Sequence, residues 1–132
     1  MFNDSKATNY DAAAVALQAV PGPIALLAGG SSKQGDASGW LQLLHDRVCS
    51  IALFGSDREV LLDLIRRSNY TGDVISQPSM ADAVSAAIEQ GKNKNAASLL
   101  LSPACASFDQ YKDFEARGNH FKDIIQQHVH NQ

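Results

Sequence analysis

Leu99-Leu100-Leu101 stops abruptly at Ser102-Pro103, and the small residues Ala104-Cys105-Ala106-Ser107 follow before a helical pattern sets in. An unbroken apolar run suits a strand covered on both faces, the usual condition of a parallel sheet. Pro103 cannot continue a central ladder because it has no N–H to give. The small residues behind it leave room for a ligand beside the backbone. From Asp113 the period lengthens, with Phe114, Gly118, Phe121, Ile125 and Val129 at helical spacing. A strand that feeds a helix through such a loop presents free N–H groups, and these favour anions.

The same alternation runs through the whole chain, without repeats, linkers or low-complexity segments. A short opening strand at Phe2-Asn3 precedes Thr8-Asn9-Tyr10-Asp11, a capping pattern with Thr8 as N-cap. The helix that follows carries Ala13, Ala16, Leu17 and Val20 on one face and ends at Pro21-Gly22-Pro23. A strand over 24–28, a glycine-rich loop over 29–36 and a helix over 38–45 come next, the helix facing inward with Trp40, Leu41 and Leu44. A third strand spans Val48–Phe54. Gly55 turns the chain, and Ser56-Asp57-Arg58-Glu59 reads as a capping box for a helix with Leu61, Leu64 and Ile65 inside. A strand over Asp73–Ser76 leads to Ser79-Met80-Ala81-Asp82, another capping pattern, and to the stripe Met80, Ala83, Val84, Ala87 and Ile88. Gly91 is the expected C-cap. A strand over Ser98–Leu101 and a last helix that fades at His128-Val129-His130 complete the series. Strands alternating with helices predict an α/β fold, a Rossmann-like three-layer sandwich whose mostly parallel sheet has helices on both faces.

The chain's 132 residues suffice for one domain with a core, and 45% apolar against 19% charged residues excludes disorder. A net charge of −3 gives no basic footprint, so nucleic acid is not an expected partner. No apolar run reaches membrane-spanning length and no signal-peptide layout is present, so no membrane association and a cytoplasmic location are expected. Cys49 in a strand and Cys105 in a loop fit two reduced thiols better than a disulfide framework.

Ligands gather at the carboxyl ends of strands in parallel sheets. The loops over 4–8, 29–36 and 102–114 all follow strand ends and are expected to open on one edge. Together they bring Asp4, Lys6, Thr8, Lys33 and Ser107 towards a common cleft, with two cations, two hydroxyls and several backbone N–H groups. Such a set is a receptor for carboxylate or phosphate. Thr8 can serve as an N-cap as well as a ligand contact, and lysines such as Lys6 and Lys33 are often merely solvated. No Gly-x-x-x-x-Gly-Lys-Ser/Thr motif occurs, so the chain has no evident machinery of its own for cleaving ATP. His128 and His130 lack a third ligand, and no metal site is expected. Asp113 and Glu115 near Arg117 read as helix-end charges rather than a catalytic carboxylate pair.

Asn3-Asp4-Ser5-Lys6-Ala7-Thr8-Asn9, together with Ser102-Pro103-Ala104-Cys105-Ala106-Ser107-Phe108-Asp109, resembles the Mur ligase family, and within it the D-glutamate-adding enzymes. Gly29-Gly30-x-x-Lys33 and Phe114-Glu115-x-Arg117-Gly118 occur in the order that the resemblance requires. It runs from the first residues to the last helix, yet covers only a C-terminal domain. The UDP-binding and central ATP-binding domains that precede it in the family are expected to be missing from this chain, which is expected to be an inactive fragment by itself. The resemblance implies an ATP- and magnesium-dependent ligase of bacterial peptidoglycan synthesis that joins D-glutamate to UDP-MurNAc-L-alanine through an acyl phosphate. It also implies roles: Thr8 and Lys33 on one D-glutamate carboxylate, Ser107 with the backbone at Phe108 and Phe114 on the other, Asp4 at the nucleotide ribose and Lys6 near the phosphates. The competing expectation is a stand-alone Rossmann-like regulatory module that binds an anionic metabolite in the same cleft without catalysis.

Overall fold

The computed structural model describes residues 2–3, 9–29, 36–102 and 114–130, with Phe114 and 128–130 described by backbone only. In chain order the elements are β1 (Phe2–Asn3), α1 (Tyr10–Ala19), β2 (Ile24–Gly29), α2 (Ser38–Arg47), β3 (Val48–Phe54), α3 (Arg58–Arg67), β4 (Asp73–Ser76), α4 (Met80–Asn93), β5 (Ser98–Leu101) and α5 (Phe114–His130). One five-stranded sheet has the order β1-β5-β2-β3-β4, and every neighbouring pair is parallel. The expected α/β sandwich is therefore present, and the last strand in sequence is inserted between the first two.

The sheet divides the core by the pleat, because successive side chains of a strand point to opposite faces. Ile24, Leu26 and Ala28 of β2, with Ile51 and Leu53 of β3, meet Leu17 of α1, Trp40 and Leu44 of α2, and Leu61 and Ile65 of α3. Leu27, Ala52, Phe54 and Leu101 face the other way, onto Met80, Val84 and Ala87 of α4 and Phe121 and Ile125 of α5. Burial of each large aliphatic side chain here stabilises the fold by about 1.5–3 kcal/mol. Both faces of β2 and β3 are thus dry, which is why β2 is continuously apolar and β3 is apolar but for the buried Ser50, rather than alternating.

Several local expectations change in the folded chain. The N-cap of α1 is Asn9, whose side chain accepts from Ala12 N at 2.8 Å, so the cap falls one residue after Thr8. Asp57, not Ser56, occupies the N-cap position of α3, and no side-chain cap bond forms there. Instead Arg58 donates from its guanidinium to Gly55 O at 2.9 Å, holding the turn from below. Ser79 does cap α4, accepting from Asp82 N at 3.3 Å. Gly91 is not the C-cap of that helix, which continues to Asn93 with Lys94 as the cap and Asn95 at φ 55°. A Cβ at position 91 would stand 3.3 Å from the Ala25 Cβ, so the glycine serves the close approach of α4 to β2. The last helix persists through His130 rather than fading at His128.

Candidate functional site

Parallel pairing puts the carboxyl ends of β1, β5 and β2 side by side on one edge. Asn3 is level with Leu101, and Leu101 with Leu27, so the three chains leave the sheet within about two residues of one another. From these ends depart residues 4–8, 103–113 and 30–35, the segments that carry the expected receptor. Those segments lie outside the described residues, and the structure shows that the strand ends they leave from are neighbours on one edge.

Gly29 closes β2 at φ 149°, and a Cβ there would lie 1.9 Å from the Phe54 carbonyl oxygen. No side chain fits against backbone at that distance, so glycine is required where the loop begins. The Gly29 carbonyl in turn accepts from Arg117 Nη1 at 3.3 Å. Arg117 is fully buried, which corrects its reading as a helix-end charge. Glu115, by contrast, is exposed, in keeping with a solvated charge at the helix start. One signal in the sequence bears on Arg117: it lies three residues after Phe114 and four before Phe121, at helical spacing from both.

The residue after Arg117 makes the second tie. Asn3 donates from its side-chain amide to Gly118 O at 2.9 Å, fastening the end of β1 to α5. At the end of β5, Ser102 is fully buried and donates its N–H to Leu27 O at 3.1 Å, while its hydroxyl has no hydrogen-bond partner among the described residues. The far side of the 30–35 loop is anchored by Asp36, which accepts from the N–H and the hydroxyl of Ser38 at the start of α2. Those hydrogen bonds, the hydroxyl's first, hold the Asp36 carboxyl below its ordinary pKa.

Of the residues expected to touch substrate or nucleotide, Asp4, Lys6, Thr8, Lys33, Ser107 and Phe108 lie outside the described residues. Phe114 opens α5, and its side chain lies outside them as well. What the structure brings together is their foundation: Asn3, Gly29, Ser102, Arg117 and Gly118. Cys49 is a free thiol that donates to Ile24 O at 3.4 Å, and Cys105 lies outside the described residues. No group of three metal-ligating side chains occurs among the described residues, and no helix among them is long and apolar enough to cross a membrane.

A cavity of about 420 Å³ opens at the opposite edge of the sheet, between Pro23, His45, Arg47 and Cys49. Its guanidinium is committed to structure, because Arg47 donates to Leu17 O at 2.7 Å and to Val20 O at 2.6 Å, closing the carboxyl end of α1. Nearby, burial raises the Tyr70 phenol above its ordinary pKa, and the ionised forms of Cys49 and Asp73 add to the effect. The Tyr70 hydroxyl donates to Val48 O at 2.7 Å.

No family model matches the chain. Individual relatives do: the chain is 57% identical over 130 residues to a UDP-N-acetylmuramoylalanine–D-glutamate ligase of Synechococcus sp. (strain CC9902), an alignment covering 98% of the chain. Ligases of the same name from Parasynechococcus marenigrum (strain WH8102) and Prochlorococcus marinus (strain MIT 9313) are 57% and 54% identical over 96% and 98% of it. The chain spans 28% of the length of each of these three relatives. Over nearly its whole length, and on the α/β fold that the resemblance implies, the chain is thus similar to a part of each of these D-glutamate ligases.

Proposed function

We propose that this chain is the C-terminal, amino-acid-binding domain of a bacterial, cytoplasmic UDP-N-acetylmuramoylalanine–D-glutamate ligase. In that reaction ATP phosphorylates the muramoyl-alanine carboxylate of UDP-MurNAc-L-alanine, releasing ADP. The D-glutamate amine then attacks the acyl phosphate, an amide forms, and orthophosphate leaves. The observation that carries this reading is the end-to-end identity with ligases of that name. The fold supports it, since three loop-bearing strand ends share one edge and could surround a small dicarboxylate.

A dicarboxylate held at both ends has its amine orientation fixed, and charge-assisted hydrogen bonds are the strong way to do it. Thr8 and Lys33 would hold one carboxylate, and Ser107 with the backbone at Phe108 and Phe114 the other. Asp4 would face the nucleotide ribose and Lys6 its phosphates. Orientation, rather than proton transfer, is this domain's contribution. The sequence has no phosphate-binding loop of the Gly-x-x-x-x-Gly-Lys-Ser/Thr type, and ATP and magnesium would be held mainly by the rest of the ligase.

The test is steady-state kinetics of a full-length ligase carrying this domain. Lys33→Ala and Ser107→Ala are each expected to raise KM for D-glutamate about tenfold or more, the loss of one charge-assisted contact, while KM for UDP-MurNAc-L-alanine stays constant. Unchanged D-glutamate kinetics in both variants would overturn the residue assignment.

A further inference from the structure

The first N–H groups of an α-helix have no acceptor within the helix, and the positive end of its dipole favours an anion there. In α5 the first of these groups belongs to Phe114. Where it stands depends on what holds the first turn of the helix. Arg117, three residues on in the same turn, is wholly buried and donates to the Gly29 carbonyl at 3.3 Å. Gly118 accepts from the Asn3 amide at 2.9 Å. These two ties are not equal. The second reaches a two-residue strand at the edge of the sheet. The first reaches β2, which has a strand on either side, at a glycine whose added Cβ would stand 1.9 Å from the Phe54 carbonyl oxygen. A buried guanidinium is also costly to move off its acceptors. Arg117 is therefore the stiffer anchor of the turn that Phe114 opens.

Resting on the amino-acid-site reading above, we infer that Arg117 is a positioning residue of the ligase: by tying the first turn of α5 to Gly29, it sets where the Phe114 N–H meets a D-glutamate carboxylate. The effect runs along one turn of helix, from a buried side chain to the backbone three residues before it. Arg117 acts through the helix and not on the substrate.

Kinetics of the full-length ligase separate this from a general structural role. Arg117→Lys keeps the charge but not the planar fork, and Arg117→Gln, an uncharged amide donor, serves if the lysine variant does not fold. Each is checked for its melting temperature. The change is expected to raise KM for D-glutamate about tenfold, with KM for UDP-MurNAc-L-alanine constant. Ser107→Ala and Lys33→Ala supply two backgrounds, because the reading puts Ser107 on the same carboxylate as Phe114 and Lys33 on the other one. Groups that hold one carboxylate are coupled, so on the Ser107→Ala background the change is expected to add less than about threefold. On the Lys33→Ala background the two effects should multiply. Multiplication on both backgrounds, equal damping on both, a rise in both KM values or an unchanged KM for D-glutamate would overturn the inference while leaving the site reading intact. Ser107→Ala without any effect on D-glutamate would overturn the reading of that carboxylate's site, and this inference with it.

Discussion

The side-chain amide of Asn3 donates to the Gly118 carbonyl at 2.9 Å, joining residues 115 positions apart in the chain. The bond fastens a two-residue edge strand, whose one strand neighbour among the described residues is β5, to the helix that follows the β5 loop. Asn3→Ala should destabilise the domain by about 1 kcal/mol, the ordinary net worth of such a bond. Urea unfolding with an unchanged slope and a lowered midpoint is the expected result. Because residues 4–8 continue from β1, the same variant should raise KM for D-glutamate more than its small stability loss would suggest.

Gly29→Ala is expected to be far more damaging. The added methyl would meet the Phe54 carbonyl oxygen at 1.9 Å, and φ 149° is a region L side chains rarely adopt. Overpacking and backbone strain together cost roughly 3 kcal/mol or more. Chemical unfolding of the variant should show this loss, whereas Gly39→Ala, with nothing within 4 Å of the added Cβ, should be neutral or slightly stabilising in α2.

Alkaline stability should depend on Tyr70. Its folded pKa is raised, chiefly by burial, above the ordinary value of 10.0. The unfolded chain therefore loses this proton first, and the contribution is fully present below pH 10.0 and declines as pH rises from there towards the folded pKa. In Tyr70→Phe that part of the decline should vanish, at the expense of the hydrogen bond to Val48 O. Melting temperatures of both proteins across the alkaline range, with tyrosinate absorbance as the titration signal, provide the measurement. Parallel curves would contradict the assignment.

By itself the 132-residue chain should bind D-glutamate weakly and show no ATP-dependent turnover. Calorimetry with D-glutamate on the isolated chain, beside the full-length ligase saturated with nucleotide, gives the comparison. Tight binding by the isolated chain would favour the alternative of a self-sufficient metabolite-binding module.

The order of the elements was legible because it follows from local chemistry. Apolar runs bounded by Gly, Pro and Ser marked β3 and β4 at their observed limits, and Ser79 with Asp82 marked the start of α4. Caps that depended on a choice between adjacent residues were less secure. Asn9 rather than Thr8 begins α1, since both can accept a helix N–H and only the packed geometry selects one. Gly91 looked like a helix end because glycine ends helices, yet its role is contact with Ala25 across the α4 interface, which no local pattern encodes.

For the candidate site the division is sharper. The sequence alone determined that three loops follow strand ends and that the chain resembles the Mur ligases, and it led to the expectation that the loops receive an anionic ligand. Only the tertiary structure decided that β5 enters between β1 and β2, which makes the strand ends leading into those loops neighbours. It also turned Arg117 from a helix-end charge into a buried tie to Gly29. The reason is physical: periodicity and capping report on residues a few positions apart, whereas a buried guanidinium and its acceptor are paired by the packing of α5 against a strand 88 residues earlier in the chain.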